Sequence, residues 1–410
     1  MNRRSLLILC LVVAVDTGSF GLLAPVLPFW IADLTGSLNA ITVTQVSALY
    51  AGCQLIGAPL MGRLSDRWGR KPLMAGAIGV GSLALLGSGL SSSLGLLMLF
   101  QAIKGGTAAV FALAQAMVAD RNEDSNARTV SFGALGAALG LGFIFGPALG
   151  GLIGSYSPRA AFLVAAALTL VNLFLVLLVL PETLAPQVGT ARQPEPLHWW
   201  TGAHGNLRRM LAVYFLFYLG FSSFTGIFVV DVSRRFEWGP KAVGVLLGFV
   251  GIIVVLVQGG LLPKLLRRFR AKTLSEAGLL MVGVALLGVS AINEGGYLYL
   301  TQFLFATGVG LSTPGLRTLL STAVNERQQG ILGGLTQSCV SLTNLLGPLA
   351  AGQLYTHSGF RLTLHLQAAM VFLAAAMLMM SKIRKPSTST PNHDIADQLE
   401  LEAIKVRSDL

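Results

Sequence analysis

Charge is scarce in this chain. Only 11% of its 410 residues are Asp, Glu, Lys or Arg, against about a quarter in ordinary soluble domains. A water-facing surface cannot be covered with so little, so a soluble globular protein is excluded. Cysteine is scarce too. Cys10, Cys53 and Cys339 stand far apart and all fall in apolar runs, which argues against a disulfide framework or a metal site. The pattern G-x-x-x-x-G-K-[ST] is missing, so nothing here cradles the phosphates of ATP. No triad of nucleophile, base and acid is recognisable. Neither an enzyme activity nor a cofactor is expected, and no metal.

Apolar sequence is what the chain has in quantity. Hydrophobic residues make up 53% of it, and the mean hydropathy is +0.70. Twelve apolar runs fall at about 5–29, 41–62, 73–91, 94–118, 129–153, 160–180, 208–233, 240–262, 273–292, 297–320, 328–354 and 360–381. Each approaches the roughly 20 residues that cross a bilayer. They predict an all-α membrane protein of twelve transmembrane helices. The first run follows Asn2-Arg3-Arg4 but is too long for a cleaved signal peptide and has no small-x-small cleavage site, so it is read as a retained helix.

The net charge of +11 is explained by topology. With the N-terminus inside, 22 of the 29 Lys and Arg fall on cytoplasmic segments, five fall outside and two fall within helices. Such a bias places both termini in the cytoplasm of a multi-pass cell-membrane protein, with the bacterial inner membrane as its expected place. The basic segments attract the lipid bilayer's anionic headgroups, and nucleic acid is not implied.

Two six-helix bundles are expected, at 1–180 and 208–382. Between them lies a cytoplasmic linker, 181–207, rich in Pro, Gln, His and Thr, and after them a polar cytoplasmic tail, 383–410. A weak internal repeat supports the division. Arg128 precedes Gly146-Pro147 much as Arg327 precedes Gly347-Pro348, at an offset of half the chain. Parallel repeats of this kind suit a transporter that rocks about a central site.

Three features carry chemistry. The densest charge cluster, Gly62-Arg63-Leu64-Ser65-Asp66-Arg67-Trp68-Gly69-Arg70-Lys71, lies between two apolar runs and reads as a tight polar hairpin in the cytoplasm. The second is a glycine stripe in the fifth helix, Gly142, Gly146, Gly150 and Gly151 with Pro147. Its small residues let helices approach closely, and its proline favours a bend. The third is a pair of ionisable groups at depth. Asp16 lies about eleven residues into helix one and Lys104 about ten into helix four, both near the bilayer middle. A charge there costs at least about 2.5–3.5 kcal/mol, so it is paired, hydrated or functional. Burial favours a neutral carboxyl and a nearby ammonium favours the carboxylate. Asp16 is therefore the candidate proton carrier and Lys104 its partner, and a structural ion pair is the alternative.

The pattern G-x-L-x-D-R-x-G-R-K at 62–71 is similar to the signature of the Major Facilitator Superfamily. G-x-x-x-G-P-x-x-G-G at 142–151 resembles the helix-five signature of its exporters. Asp16-Thr17-Gly18-Ser19-Phe20-Gly21 through Pro28 resembles the first helix of the twelve-helix drug:proton antiporter family, tetracycline efflux proteins in particular. Ala58-Pro59-Leu60 and Glu326-Arg327-Gln328 extend the resemblance over most of the chain. Two features depart from it. Gln101 stands where that family has an arginine, with Gly105 kept and Lys104 just before it. The stretches 79–89 and 278–288 lack the acids that tetracycline exporters carry there.

The resemblance implies export of a small molecule by proton antiport with alternating access, by a monomer. A drug-like compound, a siderophore or an anionic metabolite would be the substrate. Proton-coupled import of a metabolite is the alternative, and a membrane sensor that does not transport is a third reading. Helices one, four and ten line the cavity in that family. Phe20, Gln101, Gln115, Arg317, Gln337 and Asn344 are the polar and aromatic candidates, with Tyr214, Phe217 and Tyr218 as an aromatic wall. One acid and two cations would leave the cavity positive and favour an anionic or zwitterionic substrate, and snorkelling of Arg317 toward the cytoplasm is the alternative that would remove half of that charge. Gating is assigned to Gly62, Asp66, Arg67, Gly69, Arg70 and Lys71 together with Asp120 and Arg128.

Overall fold

The computed structural model describes residues 3–121, 125–182, 205–324 and 328–381, and all regular structure among them is helical. In lipid, a helix satisfies its own backbone without help from water. The order is α1 (Arg3–Leu23), α2 (Leu27–Thr35), α3 (Ala40–Trp68), α4 (Arg70–Leu90), α5 (Leu94–Gly106), α6 (Val110–Arg121), α7 (Ser125–Gly154), α8 (Pro158–Val179), α9 (Gly205–Phe236), α10 (Pro240–Leu256), α11 (Leu262–Leu266), α12 (Ala271–Ala291), α13 (Leu298–Ser321) and α14 (Gln329–Met379). Among the described residues, ten helical segments are long and apolar enough to cross a membrane.

Local sequence sets many of the ends. Asn39 caps α3, its side-chain oxygen accepting from Ile41 N at 2.9 Å, and Gly36 closes α2 with a positive φ of 74°. In α14 the helix is broken at Gly359 (φ 79°, ψ 170°), where the hydropathy pattern predicts a loop between the last two spans.

The charged hairpin differs from its sequence expectation. Residues 62–68 are helical, and the whole reversal falls on Gly69, at φ 96° and ψ 153°. Arg63, Asp66 and Arg67 are exposed, as their polarity suggests, but Arg, Asp, Leu and Trp all tolerate helix. Only a glycine can take that backbone conformation at no steric cost.

Glycines decide how the helices pack. A methyl carbon at Gly146 would lie 2.7 Å from Gly18 O, and one at Gly150 would lie 2.0 Å from Leu22 O, so this stripe of α7 sits directly on α1. Around Gly347-Pro348 the same relation recurs between α14 and α9. Ser222 donates to Thr343 O at 2.7 Å, Ser223 donates to Gly347 O at 3.1 Å, and Gly226 faces the Pro348 ring. Gly150→Ala is therefore expected to destabilise by about 1–3 kcal/mol through overpacking. Gly136→Ala, which meets nothing within 4 Å, should be neutral. Thermal unfolding of the two purified variants in detergent checks this.

Two antiparallel seams shape the interior. Along α3 and α14, Thr44 meets Gly352 and Gly52 meets Leu345. Along α7 and α10, Gly151 meets Gly244, Ile144 meets Gly251 and Gly140 meets Val255. The α7–α10 seam holds a constant register, the α3–α14 seam shifts by one residue between its two contacts, and both end partway. Beyond them, toward the end that carries Gly69, a methyl on Gly62, Gly136, Gly259, Gly260, Gly333 or Gly334 would touch nothing within 4 Å. Along these two seams the helices touch at one end and part toward the other. Polar and apolar contacts reinforce the closed end. Arg234 on α9 donates to Leu38 O, and Leu22, Val26 and Trp30 cluster with Ile227, Val230 and Tyr355.

Candidate functional site

Asp16 and Lys104 meet. Lys104 Nζ lies 3.7 Å from Asp16 Oδ1, with the lysine side chain 8% exposed and the aspartate 21%. That separation is an ion-pair contact, too long for a hydrogen bond. Asp16 Oδ1 is buried with no hydrogen-bond partner among the described residues. A carboxylate oxygen without a donor, facing one ammonium at slightly longer range, can accept either a proton or a polar group of a ligand.

Close backbone packing places the lysine. Gly57 and Gly106 bring α3 onto α5, a methyl on Gly57 falling 2.1 Å from Gly106 O. One on Gly105 would fall 2.3 Å from Tyr50 O. On the other side the lysine lies over Gly81 of α4, where a methyl would sit 3.0 Å from Nζ. A side chain at 81 would therefore push the ammonium. Gly81→Val is expected to cut transport while leaving membrane insertion intact, as a transport assay paired with a quantitative membrane blot would report.

The sequence reading placed one helix over 94–118. The structure breaks it at Thr107-Ala108-Ala109, three residues after Lys104. Freed carbonyls there find partners. Thr107 Oγ1 donates to Lys104 O at 3.1 Å, and Gln54 Nε2 to Ala108 O at 3.4 Å. Irregular backbone at membrane depth is tolerated where protein or a cavity satisfies it, which is how discontinuous helices mark transport sites. The pattern Gly105-Gly106-Thr107 was the available signal for this break.

Other candidates distribute unevenly around the pair. Tyr50 lies within electrostatic reach of Asp16, and its ring centroid is 5.5 Å from that of Phe20, which is exposed. Gln101 is buried, one turn before Lys104. Gln115 and Gln337 are exposed and Asn344 is half-buried. Tyr214 and Phe217 are fully buried in the helix core, and Tyr218 is nearly so. Arg317 on α13 is exposed, within electrostatic reach of the Tyr214 and Tyr218 hydroxyls.

At the charged end Arg70 is the hub. It pairs with Asp66 at 2.6 Å and with Asp120 at 2.9 Å, and also donates to Ser65 Oγ. Asp66 is 62% exposed and Arg67 is exposed. The Arg128 side chain lies outside the described residues, as do 183–204 of the linker, residue 382 and the whole tail, 383–410. Glu182 was missed in the sequence. Its carboxylate accepts from the backbone N of Arg70 at 3.1 Å and of Lys71 at 3.0 Å, capping the positive N-terminus of α4. Also missed was Asp231, 2% exposed, which accepts from Arg235 at 3.1 Å and from the Tyr355 hydroxyl at 3.3 Å. The i,i+4 spacing of Asp231 and Arg235 was its visible signal. No group of three or more metal-ligating side chains occurs among the described residues.

The family model of the Major Facilitator Superfamily matches residues 9–342 and 210–407. Tetracycline resistance protein, class B, of Escherichia coli is 31% identical over 354 residues, covering 85% of this chain and 87% of its own length. Tetracycline resistance protein, class E, also from Escherichia coli, is 33% identical, with coverage of 87% and 89%. Multidrug resistance protein 2 of Bacillus subtilis is 29% identical, with coverage of 82% and 84%. Among solved structures, the human organic anion transporter MFSD10 (TETRAN) superposes with a TM-score of 0.69 at 23% identity, covering 92% of this chain and 99% of its own. At that identity the likeness concerns the fold alone.

Proposed function

Since the chain belongs to the Major Facilitator Superfamily and is a multi-pass membrane protein, we propose that it exports small amphipathic, drug-like molecules in exchange for protons. The observation that carries this reading is the Asp16–Lys104 pair, buried beside a broken helix with one carboxylate oxygen free of hydrogen bonds. The efflux relatives named above support the direction of transport.

In this reading the chain has twelve spans. α13 is one of them, and α14 supplies two, divided at Gly359. They form two halves, 1–180 and 208–382, in a monomer of the bacterial inner membrane with both termini cytoplasmic. The parted end, marked by Gly69, then faces the cytoplasm. Substrate enters there and competes with the proton for Asp16. Closure of that end and opening of the other releases substrate outside, where a proton reloads the carboxylate.

Asp66 belongs to the gating step. Exposed and paired only with Arg70 among the described ion pairs, its carboxylate is available to the opposing half when the cytoplasmic end closes. Asp66→Asn should slow turnover while leaving equilibrium substrate binding intact, and loss of binding at unchanged turnover would contradict the role. The reading as a whole is tested in efflux-deficient cells. Expression should lower accumulation of tetracycline or of a cationic dye such as ethidium, and a protonophore should abolish the difference.

A further inference from the structure

The Asp231–Arg235 pair differs from the Asp16–Lys104 pair in that both oxygens of its acid are partnered. Asp231 Oδ2 accepts from Arg235 at 3.1 Å, and Oδ1 accepts from the Tyr355 hydroxyl at 3.3 Å. Arg235 turns its remaining donors on the end of α12, reaching Val289 O at 3.1 Å and Ile292 O at 2.6 Å. Intrahelical donors run out at a helix C-terminus, and a cation is favoured there. The guanidinium also lies 4.1 Å from the centroid of the Phe360 ring, just past the break at Gly359. The ends of α9 and α12 and both arms of α14 are thereby joined through one buried, paired network. A satisfied network of this kind is rigid.

Arg234, one residue earlier, makes a contact of another kind. It is exposed, belongs to none of the described ion pairs, and donates to Leu38 O in the turn between α2 and α3. Water can replace a carbonyl at such a donor, so this bond breaks at small cost. Beside it, Tyr355 clusters with Ile227 and Val230 against Leu22, Val26 and Trp30 of the α1–α2 region. One turn from Tyr355, Gly352 abuts Thr44 of α3, which is 1% exposed. The last turn of α9 thus grips α12 and α14 on one side and reaches α1, α2 and α3 on the other. We infer that residues 231–235 form the outer latch of the transporter. Arg235 and Asp231 are positioning residues that hold α9, α12 and α14 as one block. The Arg234–Leu38 contact is the polar fastening that breaks when this end opens. The latch rests on the export reading above and adds to it the residues that set which way the empty protein faces.

Thiol labelling of the full-length protein in right-side-out membrane vesicles tests the latch separately from transport. Thr44→Cys, with Cys10, Cys53 and Cys339 replaced by alanine, puts a probe in the closed seam. A membrane-impermeant maleimide reaches it from outside only when that end parts. With neither substrate nor gradient, Arg234→Ala should speed labelling at least about threefold, as loss of a charge-assisted hydrogen bond requires. Arg234→Lys keeps a charged donor and should stay near the parent rate. Melting of the purified proteins in detergent separates the fixed contacts from the breakable one. Asp231→Asn should lower the melting temperature by several degrees, and Arg234→Ala should leave it nearly unchanged. Tyr355→Phe, which removes only the hydroxyl, serves the same comparison if Asp231→Asn fails to fold. Unchanged labelling in Arg234→Ala, an equal rise in Arg234→Lys, or equal destabilisation by Arg234→Ala and Asp231→Asn would overturn the inference. Faster labelling of Arg234→Ala in a protein that moves no protons would overturn the export reading and leave the latch standing.

Discussion

Replacing Asp16 with asparagine should abolish transport driven by a pH gradient while leaving substrate exchange across the membrane intact. Asparagine keeps the size and one acceptor oxygen, turns the other position into an NH2 donor, and cannot titrate. The buried Asp16 Oδ1, 3.7 Å from Lys104 Nζ, has no hydrogen bond to lose, and what the change removes is the carboxylate charge facing that ammonium. In proteoliposomes with an imposed gradient, uptake by Asp16→Asn should fall to the level of empty vesicles. Counterflow, which needs binding and reorientation but no net proton movement, should persist. Lys104→Met is the complementary variant. It strands the aspartate without the cation 3.7 Å away, leaving a charge at depth unpaired, so gradient-driven transport should also fail. If Asp16→Asn accumulated substrate as wild type does, the pair would be a structural contact that orients α1 against α5.

The second large effect concerns the seams. A disulfide between Thr44→Cys and Gly352→Cys, with Cys10, Cys53 and Cys339 removed, should lock the closed end. A methyl carbon on Gly352 would lie 3.0 Å from Thr44 Cβ, close enough for a bridge after a small adjustment. Oxidation should stop turnover completely and reductant should restore it, because the proposed cycle requires this end to part. The register of the same seam predicts a second pair. Continuing from Thr44–Gly352 and Gly52–Leu345 brings Leu60 opposite Gln337. Leu60→Cys with Gln337→Cys should cross-link only in molecules whose parted end has closed. The two bridges should be mutually exclusive, and full activity with the first bridge formed would refute alternation.

Much of this was legible before any coordinates. Spans longer than 20 apolar residues leave few alternatives in a bilayer, and the helices follow the runs closely at α4, α8, α12 and α13. The Asp16–Lys104 contact was legible because charge at depth is costly enough to demand a partner. Hydropathy could not see the breaks. Thr107-Ala108-Ala109 is as apolar as a helix interior, and what interrupts α5 is the crowding of Gly105 and Gly106 against α3. The same blindness made 62–71 a loop, since polarity reports exposure and only Gly69 reports the turn. Glu182 and Asp231 were missed for a third reason. Each acts on a residue reached through the fold: Glu182 on the start of α4 and Asp231 on Tyr355 of α14.

The most direct measurement is proton movement in inside-out vesicles that contain the wild-type protein. Once respiration has acidified the lumen, tetracycline and ethidium are added in turn while a pH-sensitive fluorophore is followed. The account predicts that a transported compound releases protons from the lumen, and that Asp16→Asn vesicles stay silent with the same compound. Substrate accumulation without proton release, or equal release from Asp16→Asn vesicles, would contradict it.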